Sequence, residues 1–190
     1  MSIDLAVENK LRDMLDRHEI WQVLQRYGRG LDRFDRDLVR SCYFDDAIDD
    51  HGSFVGKVED FTDWAIEVSR SCISHHHNVL NHYCELDGDD AYCETYFLCI
   101  RVVASPPHRM SMGRYIDHFQ RRKGEWRIAN RVTVVEGLFE LDESKAAAAR
   151  RLVVGAEGEQ PVARNREDVS YHRPPRPRQA RTSRSPTSSS

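Results

Sequence analysis

His75-His76-His77-Asn78-Val79-Leu80-Asn81-His82-Tyr83-Cys84-Glu85-Leu86, running into Asp87-Gly88-Asp89, is the stretch on which the fold turns. It reads as a strand closed by an Asp-Gly turn, and an Asp-Gly pair between β-rich runs is a strong short-range hairpin signal. The histidines therefore belong to a sheet, not to a loop. Adjacent strand residues point to opposite faces, so only His75 and His77 can share one side. No spacing supplies a third ligand, His118 included, and no metal is expected.

Outward from this stretch, Ala91 to Val103 completes the hairpin, Ser105-Pro106-Pro107 breaks the pattern, and Met110–Arg121 with Glu125–Leu138 form a second hairpin across Lys123-Gly124. Upstream, Ile20, Val23, Leu24, Tyr27 and Leu31 fall on one helical face, preceded by Leu11, Met14 and Leu15, which predicts a long amphipathic helix with Tyr27 on its buried stripe. Asp32 lies at the edge of that stripe. Gly28 and Gly30 weaken the last turn and mark a close approach of another element. Asp35 is positioned to cap a short second helix ending near Cys42. Tyr43 to Asp50 reads as a strand, with Gly52 and Gly56 as turn punctuation, and Val58, Phe61, Ala65, Val68 and Cys72 repeat as a third helix. Helices followed by consecutive hairpins predict an α+β domain in which helices pack on one face of a curved antiparallel sheet. The space between long helix and sheet is then a pocket lined from both sides.

With 190 residues and 39% hydrophobic content the chain can bury one ordinary core. The expected division is one domain over residues 1–141, a short surface helix within 142–154, and a disordered basic Pro/Arg/Ser-rich tail over 155–190. No apolar run approaches the roughly 20 residues that span a bilayer, and MSIDLAVENK lacks the pattern of a signal peptide, so a cytoplasmic protein is expected. The five cysteines form no CxxC pair and are expected to be reduced and mostly buried. Seven arginines against Glu167 and Asp168 give residues 164–190 a charge of +5, leaving −8 on residues 1–163 out of the total of −3. An acidic body argues against a nucleic-acid-binding domain.

Three segments, EIWQVLQRYGRGLDRFD with YFDDA after it, HHHNVLNHYCELDGDDA, and GRYIDHFQRRKGEWRIANR, together resemble the SnoaL-like branch of the nuclear-transport-factor-2-like superfamily. The resemblance covers roughly residues 10 to 138 and excludes the tail. It implies a cone-shaped α+β sheet wrapped around the long helix and enclosing an apolar cavity. The family includes cofactor-free dehydratases, a dehydrochlorinase, ketosteroid isomerases, polyketide cyclases and non-enzymatic binders, so no cofactor is implied. Its dehydratases and dehydrochlorinase carry a Tyr or Lys five residues before an Asp on the first helix, a pattern met by Tyr27 and Asp32. Their catalytic His stands four residues before an Asn, as His77 stands before Asn81, and an Arg follows the Trp of the last hairpin, as Arg131 follows Trp126. Some members use a further Asp or His on the next strand, where this chain offers Tyr96 or Leu98. Asn81, Tyr96 and Leu98 are therefore the expected substrate-binding positions, and a dimer or trimer is the expected assembly.

As chemistry, His77 is the side chain matched to taking a proton near neutral pH, and Asp32 would fix its tautomer and stabilise the imidazolium. Tyr27 would donate to a departing group or developing oxygen, and Arg131 would stabilise the same charge. Arg131 raises one conflict: strict alternation aligns it with Ala129, Thr133 and Val135, whereas Ile128, Val132 and Val134 are the more apolar set, which only a bulge would cure. These parts fit a lyase or an isomerase acting on a hydrophobic cyclic small molecule. A non-catalytic lipid or pigment binder and an oligomeric interaction module remain open.

Overall fold

The computed structural model describes residues 4–141, 164–171 and 173. Helix α1 (Leu5–Asp32) is capped by Asp4, whose side chain accepts from the Ala6 N–H. Helix α2 (Arg36–Ser41) is capped by Asp35, which accepts from Leu38 N at 3.2 Å, as its sequence position predicts. Then follow β1 (Tyr43–Asp50), β2 (Val55–Lys57), α3 (Val58–Arg70), β3 (Cys72–Asp87), β4 (Asp90–Val103), β5 (His108–Arg122) and β6 (Glu125–Leu141). The six strands form one curved, unclosed sheet in the order β2-β1-β6-β5-β4-β3. Every pairing is antiparallel except β1 with β6, which is parallel. Strand β2 was not foreseen, because three residues are too short to show a period.

Only the second half of α1 packs on the sheet. Ile20, Val23, Leu24, Tyr27 and Leu31 are buried, while Leu5, Leu11, Met14 and Leu15 stay exposed. Opposite them lie Phe97, Tyr115, Phe119, Trp126 and Ile128 from the sheet, with Val58 and Phe61 of α3 closing the side. The predicted close approaches are real: a Cβ on Gly30 would stand 2.6 Å from Val39 Cγ2, and one on Gly28 would stand 3.3 Å from His77 Cβ. All five cysteines are buried and unbridged.

Three bulges set which side chains face inward. On β3 the pairing shifts between Val79 and His82, so His75, His77 and Val79 face the helix and, after two intervening residues, His82 and Cys84 do too. On β6 the extra residue is Ala129, because His118 pairs with Asn130 and Phe119 with Ile128. This resolves the conflict in alternation: Ile128 and Arg131 are both buried although an odd number of positions separates them. A third shift opposite Gly113 needs glycine, since a Cβ there would fall on the Val134 carbonyl.

The surface helix expected within 142–154 lies outside the described residues. Part of the tail departs from its expected disorder. Arg164 is buried, donating from Nε to the Asp32 carbonyl (3.1 Å) and from Nη1 to the carbonyls of Ser69 (2.9 Å) and Cys72 (2.8 Å), with its guanidinium over Phe34. Beyond it Asp168 approaches Arg33 at 3.4 Å, and Tyr171 donates to Asp35 at 3.2 Å under Arg29. Composition argued for a solvated tail, but one arginine meeting three backbone acceptors, at the ends of α1 and α3 and the start of β3, holds this piece. Among the described residues, no helix is long and apolar enough to cross a membrane.

Candidate active site

The last turn of α1 brings Asp32 against β3. One carboxylate oxygen lies 2.7 Å from His77 Nδ1, and both oxygens accept from the His77 backbone N–H at 3.2 and 3.1 Å. Ring and backbone of one residue are thus held by one carboxylate. The two side chains are 6% and 16% exposed. Burial pulls the His77 pKa down, but the hydrogen bonds to Asp32 and Cys99 outweigh it and raise it to about 9. Its neighbour His75 is driven far the other way, chiefly by burial and then by the charge on His77, and stays neutral.

His77 lines a cavity of about 560 Å³ between α1, α3 and the concave face of the sheet, a volume suited to a small organic molecule. Much of the wall is apolar: Leu31, Trp64, Ala65, Val68, Phe97, Val135 and Leu138. Tyr27 also lines it, and its buried hydroxyl has no hydrogen-bond partner among the described residues. Burial, opposed by the nearby Arg131 cation, keeps the Tyr27 pKa high, so the phenol retains its proton.

Arg131 sits behind this wall, not in it. Its guanidinium is fully buried, forms a two-point ion pair with Asp117 (2.6 and 2.8 Å), and stacks at 4.3 and 4.1 Å on the rings of Tyr27 and Tyr115. It is not among the cavity-lining residues and reaches the cavity wall only through its contact with the Tyr27 ring. Asn81, Tyr96 and Leu98 do not line the cavity either. Asn81 is exposed within the β3 bulge, and alternation on β4 turns Thr95, Phe97 and Cys99 inward and Tyr96 and Leu98 outward. A one-residue miscount on a strand exchanges its faces, and Phe97 and Cys99 hold the positions intended for Tyr96 and Leu98.

One cavity residue escaped the sequence reading altogether. His51, just after β1, places Nδ1 3.1 Å from both Asp49 Oδ1 and Thr133 Oγ1, while Tyr43 donates its hydroxyl to the other Asp49 oxygen at 2.7 Å. Asp49 is fully buried, and the His51 ring lies against Phe61, Trp64 and Tyr115. The available signal was an aspartate at an inward-facing strand position two residues before a histidine. Gly52 instead drew the eye to a turn.

Two groups have metal-ligand types close together. His75, His77 and Cys99 each offer a donor atom within 4.8 Å of the others, and so do His82, Cys84 and Cys93. In the cavity group most of the ring nitrogens and the thiol are engaged: Ser69 Oγ bonds His75 Nδ1 (3.0 Å), Cys99 Sγ bonds His75 Nε2 (2.9 Å), and Asp32 bonds His77 Nδ1.

With this geometry in view, comparison with known proteins identifies the class. The sequence profile of the SnoaL-like domain matches residues 12–132, and the chain belongs to that family. Among solved structures it is similar to the hexachlorocyclohexane dehydrochlorinase LinA-type3 of Novosphingobium barchaimii LL02, at 18% identity over 70% of this chain and 94% of that one, with a TM-score of 0.64. It is also similar to a Novosphingobium aromaticivorans DSM 12444 protein provisionally described as a scytalone dehydratase (14% identity, 68% and 90% coverage, TM-score 0.63). A third likeness is to the Kfla4162 protein of Kribbella flavida (19% identity, 73% and 99% coverage, TM-score 0.62). At these identities the likeness establishes the fold. A search of curated proteins returned no match.

Proposed function

We propose that this protein is a cofactor-independent lyase or isomerase that removes a proton from a hydrophobic cyclic small molecule. The observation that carries the reading is the 2.7 Å bond between His77 and Asp32 on the wall of a cavity that also presents the unpartnered Tyr27 hydroxyl. The neutral His77 imidazole takes the proton at Nε2, and Asp32 holds the ring and stabilises the imidazolium. Tyr27 donates a hydrogen bond to the departing group or to a developing enolate oxygen, with Arg131 beneath its ring favouring negative charge there. His51, fixed by Asp49 and Thr133, is a second proton carrier on the same cavity wall. The similarity to a dehydrochlorinase makes halogenated rings a natural first substrate class, beside steroids and terpenoids.

The test is turnover of such a panel by wild type and by His77→Ala. Loss of turnover with an intact fold is expected, and a fully active His77→Ala would remove the base. The apolar wall favours a second reading, a lipid or pigment binder. A binder would co-purify with its ligand, visible by mass spectrometry, and would keep its affinity in Asp32→Asn. We further infer a homo-oligomer: Tyr83, Tyr92, Tyr96, Met112 and Val132 are all exposed on strands of one sheet, a surface suited to a second copy. Light scattering decides this.

A further inference from the structure

The second His/Cys group differs from the cavity group in one respect: it contains a donor atom with nothing to bond. His82 Nε2 is buried and has no partner among the described residues, while Nδ1 of the same ring is held 2.8 Å from the buried Thr95 hydroxyl. A neutral histidine whose Nδ1 proton is given to Thr95 Oγ1 presents a bare lone pair at Nε2. Leaving such a group buried and unsatisfied costs stability, so its retention calls for an explanation. One ring nitrogen of His82 lies within 4.8 Å of two thiols, Cys84 and Cys93, which are direct cross-strand partners on β3 and β4 and are 7% and 4% exposed. Trp21 packs tilted against the His82 ring, 5.4 Å between centroids, from the α1 side.

We propose that His82, Cys84 and Cys93 bind one thiophilic divalent cation of the zinc type. Two thiolates and a neutral imidazole carry a charge of −2, so a divalent ion makes a neutral cluster in a place where water is scarce. Both thiol protons leave on binding, one from each sulfur. Zinc–ligand bonds of about 2.0–2.3 Å hold donor atoms about 3.3–3.8 Å apart in a tetrahedron, so donors that now lie within 4.8 Å of one another draw together by up to about 1.5 Å on binding. Three protein donors leave the fourth position to solvent, which enters past the half-buried edge of His82 on β3, the last strand of the sheet. Because His82 is the first paired residue after the β3 bulge, the ion fixes the register of that strand beyond the half that carries His77. The site therefore acts as a staple and is separate from the proposed chemistry.

The experiment uses the full chain, reduced and stripped with a chelator, and titrates it with Zn²⁺ alone. One equivalent is expected to bind, to raise the thermal midpoint by roughly 5–10 °C at saturation, and to shield Cys84 and Cys93, but not Cys99, from alkylation mapped by mass spectrometry. Titration with Co²⁺ is expected to give a thiolate charge-transfer band that is absent in Cys84→Ser and Cys93→Ser and retained in Cys99→Ser. The alkylation pattern of the wild type keeps the test decisive if a cysteine variant fails to fold. Absence of uptake by the reduced wild type, shielding of Cys99 instead, or an unchanged band in both Cys84→Ser and Cys93→Ser overturns the proposal. None of these outcomes bears on the loss of turnover in His77→Ala, so the two readings fail independently.

Discussion

Strand β3 carries two His/Cys groups on the same face, one on each side of a bulge, and they are built to opposite specifications. Before the bulge, His75, His77 and Cys99 are tied to one another and to Ser69 and Asp32, and they line a cavity. After it, His82, Cys84 and Cys93 are packed behind Trp21 with one ring nitrogen unused. The first group spends its hydrogen bonds on holding an imidazole in one orientation, as proton transfer requires. The second leaves a lone pair free, as a metal requires. In the proposed reading the same residue types serve different ends because a carboxylate bonds the ring in the first group, whereas Asp117, across the sheet from Cys93, is committed to Arg131.

The two residues between Val79 and His82, absorbed by the bulge, leave both groups on one face, so removing both residues is the strongest way to break the comparison. Deleting Leu80 and Asn81 together makes Val79 and His82 adjacent, which forces one half of β3 to turn its inward side chains to solvent, whereas deleting one of them leaves regular alternation. A loss of more than about 4 kcal/mol, or failure to fold, is expected in urea denaturation. A stable deletion variant would mean that the register is set elsewhere.

Within the cavity group, Asp32→Asn is expected to lower kcat on any substrate found by ~10²–10⁴-fold, the range of a lost general base. An unchanged kcat would reduce Asp32 to a structural clamp on the His77 backbone. The pH profile sharpens the point. Because the His77 pKa is raised to about 9, the base form is scarce at pH 7. In chelator-treated protein kcat/KM should climb about tenfold per unit and level off near pH 9, since this profile reports the free enzyme. A plateau already reached at pH 7 would assign the rate to another group.

The same shift has a stability consequence of opposite sense. The folded pKa of His77 exceeds the ordinary 6.5, so the ion pair with Asp32 contributes fully below pH 6.5, and that contribution disappears as pH rises through about 9. The stability gap between wild type and Asp32→Asn should then narrow by up to about 3 kcal/mol between pH 6 and pH 10. A gap that stays constant would show the pair to be uncharged. Smallest is the effect of the tail: Arg164→Ala leaves the buried carbonyls of Ser69 and Cys72 without their donor and should cost about 1–3 kcal/mol by thermal or chemical unfolding. It should also loosen the end of α1, where Arg164 meets the Asp32 carbonyl, and a kcat that falls alongside stability would tie the tail to the site.

Local patterns carried most of the fold into the sequence. The helical stripe through Tyr27, the Asp35 cap, the Asp-Gly and Lys-Gly turns and the two glycines of α1 each depend on a few neighbouring residues, and each appears where it was read. The meeting of Asp32 and His77 was legible through the family resemblance, whose spacings singled out Tyr27, Asp32 and His77. Arg131, Tyr96 and Leu98 were read less well for a single reason. Their roles depend on strand parity and on which partner claims them, and Asp117, fourteen residues before Arg131, took the arginine before any substrate could.

The sequence by itself determined the elements, their order, and the histidine and aspartate that meet at the end of α1. Only the tertiary structure decided which faces point inward, since one extra residue in a strand exchanges its two sides and leaves no local mark. It alone set His51 against Asp49 and Thr133, seated Arg164 on the Asp32 carbonyl, and gathered His82, Cys84 and Cys93 around an unused lone pair. Those contacts join residues far apart in the chain, and the distances that give them meaning exist only once the sheet has curved around the helix.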